Sequence, residues 1–358
     1  FITDSTNYTE EEFLYRVGNQ NAVSLGSLFA AKKIKEEEQT AYDREQDTYY
    51  REKAEEDTAY NRAKELVRLY DSLLTQDYSD FEWLIVDDGS TDNTEAVIQQ
   101  WQQAGNDFPI RYYKKENGGK CRAINYGVDR AEGLLFFNVD SDDYLLDDAL
   151  EKIALWESTL PKDKKFCGVV GNLGTGPTET PNTPWPEPYR DANLLERYEE
   201  YCDHPIDGER AWVFYTKIQQ AYKYPEFEGE NFIPPAVTWN RMAHDGYLVR
   251  IYDDIIWVYE YQPDGLTMSG NKRFLERPQG HGLWLREKAE FIGMPLKGRL
   301  KMYYSFYCDH SYHLPCRKIA QYIGAPLPFI WLSKCVRGIS KFSKRIKYGK
   351  YIRNTKIN

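Results

Sequence analysis

The segment "WLIVDDGSTDNT" at residues 83–94 decides the fold, because an apolar run ends abruptly in two carboxylates. The run "FEWLIVDD" at 81–88 has the composition of a buried strand, and "TEAVIQQWQQAG" at 94–105 has helical spacing. A turn and a helix cap explain the small polar residues between them. They do not explain Asp87 and Asp88, because a buried carboxylate needs hydrogen-bond donors. The segment therefore indicates a polar pocket at the end of this strand.

Strand and helix patterns alternate from residue 61 onward. We predict helices at 61–76, 94–105, 120–133 and 146–159, and strands at 81–88, 110–116 and 134–143. This alternation favours an α/β fold in which helices flank a mostly parallel sheet. Ligands bind such sheets beyond the carboxyl ends of the strands. Asp87 and Asp88 and the acidic segment "VDSDD" at 139–143 follow two of these strands, so we expect them at one edge of the sheet.

The acidic segment has the pattern Asp-x-Asp. In an extended segment residues i and i+2 point the same way. Asp140 and Asp142 can then share one hard divalent cation, which prefers oxygen ligands and accepts phosphate as a further ligand. A solvated acidic turn is the alternative interpretation.

The segment "KENGGKCRAINYG" at 115–127 places two glycines before a helix that carries two cations. Gly118 and Gly119 allow a ligand to approach the backbone closely. Lys120 and Arg122 could then contact phosphate oxygens. A simple turn before a helix is the alternative.

In combination, "NRAKEL", "SLLTQDYSDFEWLIVDDGSTDNT", "NGGKCRAIN" and "VDSDDYLLDDAL" resemble the family 2 glycosyltransferases. The segment "EYQPDGLTMSG" at 260–270 resembles one in a bacterial branch of this family that is associated with surface polysaccharides. The resemblance covers residues 58–160 and continues more thinly to about 270. It implies the GT-A fold, a Rossmann-like α/β architecture. It also implies a nucleotide-sugar donor, with a UDP-sugar as the favoured class, and Mn²⁺ or Mg²⁺ bridging its diphosphate.

The resemblance also implies roles for individual residues. Asp88 would accept a hydrogen bond from the base, and Thr58 and Tyr60 in "TAYNR" would line the nucleotide pocket. Lys120 or Arg122 would help to hold the nucleotide. The metal-binding motif would be formed by Asp140, which also belongs to the nucleotide site, and Asp142, the expected direct ligand.

The catalytic base is harder to place. An inverting transferase needs a carboxylate that deprotonates the acceptor hydroxyl. In the family an acidic residue precedes a helix that corresponds here to "AVTWNRMAHDG" at 236–246, but this chain has Pro234 and Pro235 at that point. We predict Glu230 as the base and Glu228 as the next choice. If no carboxylate reaches the site, the alternative is a sugar-nucleotide-binding or scaffold protein with impaired catalysis.

We divide the chain into four regions. They are a charged helical N-terminal extension (1–57), the nucleotide-sugar half of the GT-A domain (58–160), the acceptor half (161–270) and a C-terminal helical region with a basic tail (271–358). Residues 171–191 are rich in Gly, Pro and Thr and predict a long loop. We expect His281 to be a surface residue, or alternatively a contact to the diphosphate.

Bulk properties narrow the function class. The net charge of −10 argues against a nucleic-acid binder. The six cysteines are scattered without a C-x-x-C pair, which indicates reduced thiols in the cytoplasm. No signal peptide or apolar membrane-spanning stretch is visible in the sequence.

The tail at 331–358 contains nine Lys or Arg and no acidic residue, interleaved with apolar residues. This pattern fits an amphipathic helix on an anionic membrane surface. We therefore predict a peripheral protein at the inner face of the cell membrane, with a glycan or lipid-linked acceptor. A basic tail without membrane contact is the alternative.

Overall fold

The computed structural model describes residues 62–184, 187–259 and 272–339. The chain divides into the units Phe1–Glu55 and Glu56–Asn358, and every described element belongs to the second. The predicted N-terminal extension, Thr58 and Tyr60 lie outside the described residues, as do tail residues 340–358.

Strands and helices alternate through the first half of the described chain, and helices predominate after residue 272. The strands are β1 (Trp83–Asp87), β2 (Ile110–Lys114), β3 (Leu135–Phe137), β4 (Tyr144–Leu145), β5 (Phe166–Gly174), β6 (Arg190–Asn193), β7 (Arg210–Tyr215) and β8 (Leu248–Val258). The helices are α1 (Glu65–Leu74), α2 (Thr94–Gln103), α3 (Lys120–Val128), α4 (Ala149–Ser158), α5 (Thr216–Ala221), α6 (Ala236–His244), α7 (Lys272–Leu275), α8 (Pro278–Phe291), α9 (Leu296–His310), α10 (Cys316–Ile323) and α11 (residues 327–339), with a 3₁₀ turn at Leu194–Arg197. The predicted helices and strands are present, with shorter bounds.

Apolar spacing explains the first of these helices. Leu66, Leu69 and Leu73 recur at intervals of three and four residues along α1, and all three are buried. The same apolar core contains Ile85 of β1 and Ile153 of α4. Burial of one stripe of each helix against the sheet is the main source of stability for such elements.

Two sheets organise the strands. β1 and β2 pair in parallel, with Asp87 opposite Lys114. The second sheet has the order β3-β7-β5-β8-β4, and β6 also pairs with β8. In that sheet β5 and β8 are parallel, whereas β7 is antiparallel to β3 and β5, and β4 and β6 are antiparallel to β8. The predicted α/β fold with flanking helices is confirmed, with the described strands divided between two sheets and with parallel pairing at β1–β2 and β5–β8.

The predicted loop at 171–191 is wrong at both ends, because β5 runs on to Gly174 with every residue buried and β6 begins at Arg190. Glycine is needed here for packing: a Cβ at Gly171 would lie 2.7 Å from Cγ1 of Ile256 on β8. The glycine-rich residues 171–174 are therefore the tightly packed end of a strand. The loop proper separates β5 from β6.

Strand β3 also ends earlier than predicted, at Phe137. Residues 140–143 form a turn in which the N–H of Asp143 donates to the carbonyl of Asp140 at 3.2 Å. The extended geometry expected for the Asp-x-Asp motif is therefore wrong, and the alternative of an acidic turn describes its backbone.

Candidate functional site

Asp88 lies at the end of β1 and is fully buried. Its carboxylate accepts hydrogen bonds from the N–H groups of Gly118 at 3.0 Å and Gly119 at 2.7 Å, and it is paired with the ammonium of Lys115. A buried charge is tolerated when it is paired and hydrogen-bonded in this way. Both glycine N–H groups belong to the segment 116–119 after β2, called the glycine loop below, and Lys115 directly precedes this loop.

Asp87 is also fully buried, but it serves the turn after β1. Its carboxylate accepts from the N–H groups of Gly89 at 3.1 Å and Ser90 at 2.7 Å and from the hydroxyl of Tyr112 at 2.6 Å. Burial and the Asp87 charge raise the pKa of Tyr112, so this phenol stays protonated and remains a donor. Asp87 therefore shapes the strand end, and Asp88 faces the glycine loop.

The glycine loop requires glycine at position 119. Gly119 has φ of +88°, and a Cβ there would collide with the carbonyl of Asn231. Only glycine adopts this conformation without strain and leaves room for the neighbouring backbone. The loop therefore holds Asp88 on one side and segment 227–233 on the other.

Lys120 connects the region around Asp88 at the end of β1 with the acidic turn at residues 140–143. It begins α3, and its ammonium lies 2.5 Å from a carboxylate oxygen of Asp140 in the acidic turn. Both side chains are about one third exposed, so a solute can reach them. The glycine loop and α3 therefore bring the end of β1 and the turn after β3 close together, although β1 and β3 belong to two different sheets and not to the single sheet that the sequence predicted.

The acidic turn holds three carboxylates close together. Asp143 is buried and accepts a hydrogen bond at 2.8 Å from the indole N–H of Trp257 on β8. Burial, followed by the charges of Asp140 and Asp142, raises the pKa of Asp143 to about 8. Arg68 of α1 donates to the carbonyl of Asp142. The turn is thus anchored from two sides, and its negative charge comes from Asp140 and Asp142.

The residues of this turn fit a hard divalent cation. Asp140 and Asp142 supply carboxylate oxygens, are partly exposed and are close enough to perturb a third carboxyl group. Within the described ranges, no group of three or more His, Cys, Asp or Glu side chains forms a complete metal site. Two carboxylates would therefore need ligands from elsewhere, and a diphosphate is chemically suited to supply them.

Arg122 has a different environment from Lys120. Its guanidinium donates to the carbonyls of Gly118 at 2.9 Å, Phe227 at 2.7 Å and Glu230 at 2.9 Å, and it lies 3.3 Å from Glu226. Arg122 therefore ties the glycine loop to the segment before α6. Of the two cations predicted to hold the nucleotide, the geometry favours Lys120.

Glu230, the first choice for the base, is buried and caps a helix. Its two carboxylate oxygens accept from the N–H groups of Gln279 at 2.7 Å and Gly280 at 2.8 Å in the first turn of α8. A helix N-terminus leaves backbone N–H groups that such an acceptor satisfies. Because both oxygens of Glu230 serve this cap, the geometry disfavours Glu230 as the base that deprotonates an acceptor.

Glu228 lies two residues earlier and is exposed, on a turn where Gly229 has φ of +75°. The turn adjoins the glycine loop because Arg122 bonds to Phe227 and Glu230 on either side of it. The helix that follows, α6, starts directly after Pro235 and has no acidic residue in its first turn. Of the two predicted bases, Glu228 is thus the one whose carboxylate is accessible to solvent.

The expectation of a surface position for His281 is wrong. The residue is buried in α8, and its Nδ1 lies 3.1 Å from Nε2 of His310 in α9. Its ring also packs near Phe274 and Phe306. The packing of α8 against α9 buries this position.

Sequence reasoning missed three residues that shape the site: Lys115, Arg68 and Trp257. Lys115 had a local signal, because it precedes the glycine loop directly. Arg68 and Trp257 had none, since they reach the acidic turn from α1 and β8, which are 74 and 114 residues away from their contacts.

Comparisons with known proteins identify a family for the first part of the chain. Residues 58–220 match the family model "Glycosyl transferase family 2". Two relatives from Pasteurella multocida, a chondroitin synthase and a hyaluronan synthase, are each 35% identical over 180 residues. Each alignment covers 47% of this chain and 18% of the relative, so the chain corresponds to about a fifth of the length of these relatives.

Among solved structures, the chain is similar to S. aureus TarS 1-349 in complex with UDP-GlcNAc. The TM-score is 0.47 with 18% sequence identity, over 74% of this chain and 81% of that chain.

Proposed function

Residues 58–220 belong to glycosyltransferase family 2, and from this premise we propose that the chain transfers a sugar from a nucleotide-sugar donor to a glycan or lipid-linked acceptor. A UDP-sugar is the donor class we favour. The observation that carries the proposal is the meeting of two strand ends at one edge: Lys120 contacts Asp140, and the loop before Lys120 contacts Asp88.

The donor would occupy the space at this edge. Asp88 would accept from the base once the glycine loop moves, because its carboxylate is now covered by that loop. Lys120 would contact the diphosphate, exchanging Asp140 for phosphate oxygens. Thr58 and Tyr60 remain proposed members of the nucleotide pocket.

Asp140 and Asp142 are the proposed residues for a bound Mn²⁺ or Mg²⁺. The cation would supply positive charge where the leaving nucleoside diphosphate gains negative charge. Trp257 and Arg68 would hold the acidic turn in place for this purpose.

The chemical step we propose is an inverting displacement. The acceptor hydroxyl oxygen bonds to the anomeric carbon as the bond from that carbon to the diphosphate breaks, and a carboxylate takes the hydroxyl proton. Between the two predicted bases, exposure favours Glu228 over Glu230, whose oxygens are engaged by α8.

The relatives named as chondroitin and hyaluronan synthases support a role in polysaccharide synthesis. Within the described residues, no helix is long and apolar enough to cross a membrane. We propose that the chain works at the inner face of the cell membrane and contacts an anionic surface through residues 331–358.

A panel of nucleotide sugars, each with and without Mn²⁺, tests the donor site by thermal stabilisation and by release of nucleoside diphosphate. We expect a UDP-sugar to raise the melting temperature, Mn²⁺ to increase that shift, and Asp142→Ala to abolish the Mn²⁺ contribution. Glu151→Ala, at an exposed position on α4, is the matched control. If no nucleotide sugar stabilised the protein, the proposal would be overturned.

A second candidate is a sugar-nucleotide-binding protein without turnover. It is favoured by the prolines before α6, the absence of an acid in the first turn of that described helix and the engagement of Glu230 by α8. Stabilisation by a UDP-sugar without diphosphate release, with a panel of glycan acceptors present, would select this candidate.

A further inference from the structure

Helix α11 has an apolar face that points away from the protein. Trp331, Leu332, Val336 and Ile339 are between 44% and 68% exposed, and Cys335 between them is also exposed. Their spacing of one, three and four residues places all five on one side of the helix. Large apolar side chains that cluster in this way mark an interaction surface.

The opposite side of α11 is fixed to the helical region. Ile330 is fully buried with Tyr303 and Phe306 in one apolar core, and Ser333 is buried as well. Arg337 donates to the carbonyl of Cys308 at 2.9 Å. The outward direction of the apolar face is therefore set by contacts on the inward side and does not depend on residues 340–358.

Charge indicates what covers this face. Residues 331–358 carry nine Lys or Arg and no acid, whereas the whole chain has a net charge of −10. A positive segment on a negative protein is attracted to an anionic surface, and each basic residue near such a membrane strengthens binding about fivefold. Tryptophan at the start of the face suits the boundary between lipid and water.

We infer that α11 is a membrane-docking helix, and this inference rests on the proposed membrane location. The outward face formed by Trp331, Leu332, Cys335, Val336 and Ile339 enters the headgroup region of an anionic bilayer. The basic residues that follow contact the lipid phosphates. The helix lies along the surface, because its inward side stays packed on α9 and α10.

Co-sedimentation of the full chain with vesicles tests this inference. The vesicles contain phosphatidylcholine with or without phosphatidylglycerol. The variant is Trp331→Ser with Ile339→Ser, and the matched control is Leu155→Ser, an exposed leucine on α4. Because the substituted side chains are exposed, we expect all three proteins to have the same melting temperature.

We expect wild type and control to bind the phosphatidylglycerol vesicles and the double variant to bind at least about tenfold more weakly. Equal binding of variant and wild type would overturn the inference, as would equal binding of wild type to pure phosphatidylcholine. Self-association in sedimentation velocity that the double variant abolishes, together with no vesicle binding, would assign the face to a second copy. Stabilisation by nucleotide sugars is measured separately, so failure here is distinguishable from failure of the proposed transferase.

Discussion

Asp88 and Glu230 are both buried carboxylates that accept two backbone N–H groups, but their partners differ in kind. The donors to Asp88 belong to a glycine loop 30 and 31 residues away, and loops of this kind can open for a ligand. The donors to Glu230 begin a 14-residue helix about 50 residues away. Burial alone therefore does not identify a functional carboxylate; the element that supplies its hydrogen-bond donors matters as well.

Asp88→Asn is expected to have the largest effect. An amide oxygen in the place of Oδ2 still accepts from both glycine N–H groups, but the NH2 group in the place of Oδ1 then faces the ammonium of Lys115, which loses its charged partner. We therefore expect a loss of about 4 kcal/mol in the free energy of unfolding. Urea denaturation measures this loss, and Asp71→Asn on the exposed face of α1 is the control. A loss no larger than that of the control would mean that the loop does not hold this carboxylate in solution.

Glu228→Gln tests whether an exposed carboxylate, and not a buried one, acts as the catalytic base. We expect kcat to fall about 100-fold, because the amide cannot take the proton from the hydroxyl group of the glycan acceptor. The melting temperature should not change, since the side chain is exposed. Nucleoside diphosphate release and thermal denaturation provide the two measurements. An unchanged kcat would remove Glu228 as the base.

Glu230→Gln should show the opposite pattern. The amide leaves one N–H of α8 without an acceptor, which should cost about 2 kcal/mol in the free energy of unfolding. The rate of donor turnover per folded molecule should change little. Glu228→Gln serves as the matched control, two residues away and without the helix contact. A large fall in kcat with unchanged stability would restore Glu230 as the base.

Substitution in the buried histidine pair, His281 and His310, should have the smallest effect, and it concerns the pH dependence of the free energy of unfolding. Burial and the charge of His310 lower the pKa of His281 to about 4, and burial and the charge of His313 lower that of His310 to about 4. The ordinary value is 6.5, so between pH 6.5 and 4 the unfolded chain binds more protons. Stability from this pair is therefore fully present above pH 6.5 and is lost as the pH falls toward 4.

In His310→Gln we expect the acid-induced loss of unfolding free energy to be smaller by about 1 kcal/mol. Urea denaturation at pH 6.5 and pH 4.5 measures the difference, and His204→Gln at an exposed position is the control. Equal losses in wild type and His310→Gln would show that the pair is not buried in solution.

Much of the region formed by the end of β1, the glycine loop and the start of α3 could be predicted from the local sequence pattern. The apolar run before Asp87, the glycine at position 119 and the helix that begins at Lys120 are all local features, and each lies where the sequence indicated. The predicted loop at 171–191 failed at its start, because small residues permit both turns and close strand packing. The side chain of Ile256 against Gly171 and the pairing of β5 with β7 and β8 distinguish the two.

The sequence by itself determined that two strands would end in carboxylates, since an apolar run followed directly by acidic residues is a local feature. Only the tertiary structure decided which carboxylates are engaged. Trp257 anchors Asp143, and α8 binds Glu230, across 114 and about 50 residues of chain. A hydrogen bond depends on the distance between atoms in space, and motif spacing records neighbours along the chain, so these partners appeared only once the chain was folded.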